Sequence, residues 1–309
     1  MAVAAAYTLH GVNIQTTGGT DLYLDGIQDW SLSSGLSEML MTGDGNVNPT
    51  FAAIASQSPG MSFSTIKVAN ALATVGMNGL KIDSDVDDDG LEAWFSATAE
   101  GGTRTAASST KLTVNEGLLV PTTLTADGDG PAVLNYALSI TYDGTNDPIV
   151  FAATTTTEGT ATAETYHVLG PIKINGTTLT GIQSCSVNFG HSVRVLRGEG
   201  ELWPTFAYVQ AAAPSITFRT LDVDVVRSLI TIDGVAQSTT DSVVYFRKTD
   251  VSGRVADGTG EHISLTVDDG LISWEGVGGN PELGLDVTIR PVYDGTAAIL
   301  VISTSSTIT

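Results

Sequence analysis

The 45 residues from Leu24 to Val68 return without a gap as Leu179 to Val223, at a constant offset of 155. Gly26 falls on Gly181, Gly35 on Gly190, Gly43 on Gly198, Pro49 on Pro204, Pro59 on Pro214 and Phe63 on Phe218. A repeat of this length is no solenoid unit; it is the size of a small domain. Whatever fold the first half adopts, the second must be able to adopt it too. The back of each half repeats as well, at offsets of 151 to 153, as expected when only loops change length. Trp94-Phe95 answers Tyr245-Phe246, Lys111–Val114 answers Ser264–Val267, and Tyr142–Thr145 answers Tyr293–Thr296.

The repeated unit is rich in Thr, Ser, Gly and Val. β-Branched residues suit a pleated surface and glycine supplies turns, so the fold class is mainly β. Residues 7–16 and 166–175 read as opening strands. Leu22–Gly35 and Leu179–Gly190 follow, each expected to form a hairpin with the next strand. Asp44-Gly45 and Gly198-Glu199-Gly200 are the turn candidates. Pro49 and Pro204 push the neighbouring backbone to an edge or a bulge. Helical spacing of apolar residues predicts short helices over 66–75 and 221–230, with Thr65 and Thr220 at the N-cap. The expectation is about eight strands and one short helix per half. Two tandem β-barrel or sandwich domains would span 1–151 and 166–309. The Thr/Ala-rich stretch 152–165 between them reads as a linker.

Thirteen Lys and Arg against 34 Asp and Glu give a formal net charge of −21. Both halves are acidic, so the chain lacks the basic footprint of a nucleic-acid binder. Its single cysteine, Cys185, excludes an intrachain disulfide. It stands where the first half has Trp30, which reads as a small buried apolar residue. No run approaches 18 apolar residues and the N-terminus lacks a secretory pattern, so synthesis in a cytoplasm without membrane insertion is expected.

Reactive chemistry finds little support. Asp85, Asp87, Asp89 and Gly90 imitate the opening of a calcium loop. The twelfth position is Ser96 where a bidentate Glu belongs, and flanking helices are missing from the pattern. An exposed acidic turn is the better reading. His10, His167, His191 and His262 show no ligand spacing. Glu116 and Asp269 occupy equivalent positions in the two copies and read as hairpin tips rather than a hydrolytic acid pair. No cofactor is implied and no enzyme is expected. The four tryptophans read as core or interface anchors.

One resemblance is carried by the repeat itself. The pattern runs GIQSCSVNFG, RGEGELWPTF and PSITFRTLDV in the second half, and GIQDWSLSSG, TGDGNVNPTF and PGMSFSTIKV in the first. This succession of strand, glycine turn and proline-led strand resembles the tail tube (major tail) protein of long-tailed bacteriophages. It covers about half of each unit, with Met61 in the first copy against Ile216 in the second. The resemblance implies a β-barrel or sandwich flanked by one helix, with protruding loops used for stacking. Single-domain members form six-membered rings, so a doubled chain would form stacked trimeric rings of pseudo-sixfold symmetry. It implies a virion location, double-stranded DNA passing through the bore unbound, and tail terminator, distal tail and tape-measure proteins as partners. An acidic chain suggests an electronegative lumen. Asp29, Glu38, Asp44, Glu199 and Glu201, read as lying on the long hairpins, are the lumen or ring-contact candidates. The alternative is a virion decoration or adhesion protein with two β-sandwich modules.

Overall fold

The computed structural model describes residues 6–16, 20–43, 45–83, 90–98, 104–128, 130–154, 165–230, 235–236, 241–278, 283–293, 295 and 298–309. The first half runs β1 (Ala6–Thr16), β2 (Thr20–Leu24), β3 (Ile27–Ser33), β4 (Leu36–Met41), β5 (Phe51–Gln57) and β6 (Gly60–Thr65). Helix α1 (Val68–Val75) follows. Then come β7 (Leu80–Asp83), β8 (Leu91–Thr98), β9 (Arg104–Val114), β10 (Glu116–Asp127), β11 (Val133–Thr141) and β12 (Ile149–Thr154). The second half repeats the order with β13 (Tyr166–Ile174), β14 (Thr177–Leu179), β15 (Ile182–Asn188), β16 (His191–Leu196), β17 (Phe206–Ala212) and β18 (Ser215–Thr220). Helix α2 (Val223–Leu229) precedes β19 (Val235–Ala236), β20 (Ser242–Asp250), β21 (Gly253–Arg254), β22 (His262–Val267), β23 (Gly270–Gly278), β24 (Gly284–Pro291) and β25 (Val301–Ser306).

The two halves share one topology. Each has an antiparallel sheet with the same run of five strands, β12-β9-β8-β1-β2 in the first and β25-β22-β20-β13-β14 in the second, where short β21 adds a sixth beside β20. Each contributes four further strands to a second layer: β10-β11-β6-β3 and β23-β24-β18-β15. These eight are not two sheets. They join through β10 and β15 into a single run ordered β19-β23-β24-β18-β15-β10-β11-β6-β3, with β7 beside β10. Buried residues of both halves, among them Leu124, Tyr136, Val187, Phe218 and Val287, belong to one core cluster. The halves share a strand order, but sheet and core run straight across the boundary between them.

Alternation places this layer. Along β11, Leu134, Tyr136, Leu138 and Ile140 are buried while Asn135, Ala137 and Ser139 face the other way. Glycine sets the corners. Gly26 and Gly181 (φ +70° and +64°) separate β2 from β3 and β14 from β15, sending the two pieces to different layers. Gly35 and Gly190 (φ +54° and +63°) turn the chain out of the shared sheet, and a Cβ there would sit 1.9–2.0 Å from the carbonyl oxygens of Ser58 and Ala213.

Several expectations change. The long strands over 22–35 and 179–190 are each cut at these glycines, which raises the count well above eight per half. β3 does not pair with the strand after it but with β6. The hairpins are instead β4–β5 and β16–β17, each a separate two-stranded sheet. Pro49 and Pro204 lie just before β5 and β17, outside the strands. Ala152–Thr154 complete β12, so the connecting stretch is shorter than 152–165; its residues 155–164 lie outside the described set. The helices start two residues late. Thr65 and Thr220 are not N-caps; each Oγ1 accepts a hydrogen bond (3.0 Å) from the N–H two residues on, Lys67 or Asp222, and so sets the turn entering the helix.

The repeat has also exchanged an ion pair for a neutral contact. Lys67 Nζ lies 3.6 Å from the Asp25 carboxylate. At the same positions Asp222 accepts from Thr180 N–H (3.2 Å) and Thr180 Oγ1 (3.0 Å).

Candidate self-association surfaces

The two halves meet in three zones, and each zone has an unoccupied counterpart on the same molecule. The first is the sheet. Thr123–Asp127 of β10 pair antiparallel with Ser184–Asn188 of β15, and Gly128 N–H donates to Gln183 (2.8 Å) and Phe189 N–H to Thr122 (3.0 Å). Cys185, Val187, Leu124 and Ala126 are buried there. The second zone is the β16–β17 hairpin end, seated on the first half. Gln57 N–H donates to Leu202 (2.9 Å) and Tyr142 N–H to Pro204 (2.8 Å). Arg197 Nη2 donates to the Gln57 carbonyl (2.8 Å) and Trp203 Nε1 to the Gln57 side chain (2.9 Å). The Trp203 ring lies 5.0 Å from that of Tyr142. In the third zone β13 and β25 pack against α1.

Equivalent residues on the outer flanks are bare. β3, the equivalent of β15, ends the shared sheet. Its Trp30 is 37% exposed, whereas Cys185 at the same position is 2% exposed. Tyr293, the equivalent of Tyr142, is 61% exposed, and Val292 beside it is exposed too. Val47, the equivalent of Leu202 on the β4–β5 hairpin, is 96% exposed, in company with Leu40, Met41 and Phe51. Phe151 on β12 is 60% exposed, while its counterpart on β25, Ile302, is partly buried against the core. Helix α1 buries Val68, Ala71, Leu72 and Val75; α2 buries Val226 alone. Single exposed apolar residues carry no message, but apolar positions bare in one copy and covered in the other mark surfaces that have lost a neighbour.

The free edge is guarded. The alternation set by Phe189 and Gln183 on β15 places the corresponding Trp30 amide on the open side of β3. That N–H donates to the carboxylate of Asp29 (2.8 Å), a charged residue shielding an edge strand.

The face of the shared sheet turned away from the core is lined with hydroxyls and amides. Ser31 bonds Ser62 (2.8 Å), Asn135 bonds Thr123 (2.9 Å) and Thr217 meets Thr288 (3.4 Å). Among the described residues its charged groups include Asp29, Asp127 and Asp286 against Arg219 and Arg290, with Arg219 3.1 Å from Asp286, and strand alternation adds Lys81, Asp83 and Glu116 where β7 pairs with β10. Of the acids singled out in the sequence, Asp29 is on this face and not on a hairpin. Glu38 is on β4, and Glu199 and Glu201 lie in the turn between β16 and β17, all exposed. They are not gathered in one place. Asp44, and Asp85, Asp87 and Asp89, lie outside the described residues. The tryptophans and tyrosines that count, Trp30, Trp203, Tyr142 and Tyr293, gave no sequence signal beyond their positions in the repeat.

Catalytic groups are not brought together. Glu116 and Asp269 belong to β10 and to the turn before β23, four strands apart, on the order of 20 Å, too far for an acid pair. Burial pushes the Glu116 carboxyl above its ordinary range, with Lys81 3.5 Å away opposing the shift. Among the described residues no group of three His, Cys, Asp or Glu is placed to share a metal ion. The histidines serve structure: His262 Nδ1 accepts from Lys248 N–H (3.1 Å), and the His191 ring stacks on Phe189. Among the described residues no helix is long and apolar enough to cross a membrane.

His167 sits where the halves meet. Its carbonyl accepts from Ala132 N–H (2.6 Å), and its ring lines a small cavity with Lys67–Asn70 at the start of α1. Burial lowers its pKa to about 4, with the Glu261 carbonyl opposing and Lys248 and His262 adding repulsion. A histidine depressed in the folded state takes up its proton first in the unfolded chain. Stability is therefore full above about pH 6.5 and falls as pH drops toward 4, by up to roughly 3 kcal/mol. Urea titrations at pH 7 and pH 5 should show roughly 2 kcal/mol of that loss, and His167→Asn should remove most of it.

Comparison with protein-family models and with curated proteins returned no match.

Proposed function

We propose that the chain is a structural subunit of a phage tail tube, assembling as trimeric rings that stack around a hollow bore. The observation that carries this reading is the joint between the halves. One chain already contains a head-to-tail contact between unlike faces of two like units, and it leaves the complementary faces bare at its ends. Such heterologous contacts propagate until they close into a ring or run on as a filament. Three doubled chains would close a ring of six units.

In that ring the shared sheet forms the wall, and its hydroxyl-rich face lines the bore. A wall with few cations offers phosphates little to hold. The net charge of −21 adds repulsion that screening, with a length of ~8 Å at physiological salt, does not abolish in a narrow lumen. The electronegative bore would thus come from the whole chain's charge, with Asp29, Asp127 and Asp286 its nearest contributors, rather than from a dense carboxylate lining. Tail terminator, distal tail and tape-measure proteins are the partners such a tube would meet in the virion.

Electron microscopy of the purified protein tests the reading: hollow rings or tubes with three chains per ring are expected. Isolated solid particles at every concentration would favour the decoration or adhesion alternative. A filter-binding assay should also retain no double-stranded DNA at ~50 mM salt, where a basic binder holds most tightly.

A further inference from the structure

We infer that β3 of one chain pairs with the far end of β23 of the next copy, in a register copied from the β10–β15 joint. This rests on the ring reading and adds residues to it. β10 uses one edge twice: Glu116–Leu119 pair with β7, and Thr123–Asp127 pair with β15. β23 repeats the first half of that arrangement, because Leu271 and Ile272 pair with β19. Among the described residues nothing pairs with the remainder of that edge, Gly276–Gly278. The bulge matches too, falling between Pro121 and Thr123 in one copy and between Trp274 and Gly276 in the other. β3 and β15 share their partner strand and the bulge that follows Ile27 and Ile182.

Transferring the register puts Gly276 opposite Ser33, Val277 opposite Leu32 and Gly278 opposite Ser31 of the next copy. The internal joint has Leu124 opposite Val187. The external one would have the same two residue types exchanged, which conserves volume, the substitution best tolerated at a packed contact. The other two zones follow the same operation. The β4–β5 hairpin end would seat Val47 and Pro49 near Ala212 and Tyr293, and β12 would bring Phe151 to α2. Val47, Tyr293 and Phe151, each bare where its equivalent in the other half is covered, would all be met by a second copy of this chain. The hairpin contact is less specified than its template, because Thr42 and Asn48 stand where Arg197 and Trp203 make side-chain bonds.

Within one chain β3 and β23 lie at opposite ends of the sheet, so a disulfide between them can form only between chains. Directly opposed antiparallel residues have Cα atoms ~4.5–5.5 Å apart, within disulfide reach. The native thiol, Cys185, is buried and its pKa is pushed up to about 12, so it gives little background. The test is oxidation of Ser33→Cys/Gly276→Cys, with Ser31→Cys/Gly278→Cys as an independent pair and Ser33→Cys/Ser273→Cys as an off-register control. On non-reducing gels the two in-register pairs should give covalent dimers and trimers and stop there, and the control should give none.

A ladder continuing past the trimer would uphold the strand joint and sink the closed ring. Rings by microscopy with no cross-link in either pair would sink the joint and leave the ring standing. Monomers with no cross-link would overturn both. If the cysteine variants fold poorly, hydrogen exchange on the unmodified protein decides: the Trp30 and Leu32 amides, which point to the open side of β3, should exchange at least tenfold more slowly in assemblies than in the dilute chain. Equal rates would overturn the joint.

Discussion

Phe151→Asp should yield a chain that folds and melts like the original yet does not assemble. Phe151 stands exposed on β12, away from the core, and surface substitutions of that kind usually shift stability by less than ~0.5 kcal/mol. In the assembly it would lie against α2 of the next copy. Losing its burial removes roughly 1.5–3 kcal/mol per contact, and desolvating a carboxylate in its place costs more. With three such contacts in a closed ring, the loss reaches at least roughly 5 kcal/mol, more than a thousandfold in ring formation. Sedimentation velocity should show monomer at concentrations where the original sediments as trimer or larger. Assembly unchanged by this substitution would remove β12 from the contact.

The second large effect concerns the fold. Asp25→Ala should cost roughly 3 kcal/mol, because it deprives Lys67, buried at the entrance to α1, of the carboxylate 3.6 Å away. Thr180→Ala at the equivalent place should cost only ~1 kcal/mol, since it removes just the hydroxyl's bond to an Asp222 that water can reach and keeps the backbone N–H bond. Chemical denaturation of both variants measures the contrast. Equal costs would mean that the ion pair is as dispensable as its neutral replacement. The comparison is unusually controlled, since both sites sit on the same turn of the same topology: Ile66 N–H bonds Gly26 (3.2 Å) and Leu221 N–H bonds Gly181 (3.0 Å).

How far the sequence could be read depends on the range of the forces involved. Strand character, the helix positions to within two residues, and the strand ends at Gly35 and Gly190 are fixed by a few neighbouring residues. They were legible for that reason. Pairing was not. The pattern of β3 suits a hairpin with the next strand as well as it suits pairing with β6, and the choice was made by the glycine corner at Gly35 and by Phe63 and Met61 waiting in the core. Thr65 and Thr220 looked like caps because their hydroxyls do hold a backbone N–H, though one turn earlier than a cap would. The acidic positions stood out by charge alone, and charge does not say which residues share a surface; of those described, only Asp29 lies on the strand that ends the shared sheet.

By itself the sequence determined that two like β units exist. Tertiary structure alone decided that these units share one sheet, and which of two equivalent strands is covered. Trp30 and Cys185 occupy the same place in the repeat and differ in burial because β10 lies beside one of them and, among the described residues, no strand lies beside the other. Local propensity acts within a strand, whereas a neighbour more than 50 residues away along the chain is selected by the burial and hydrogen bonding it completes.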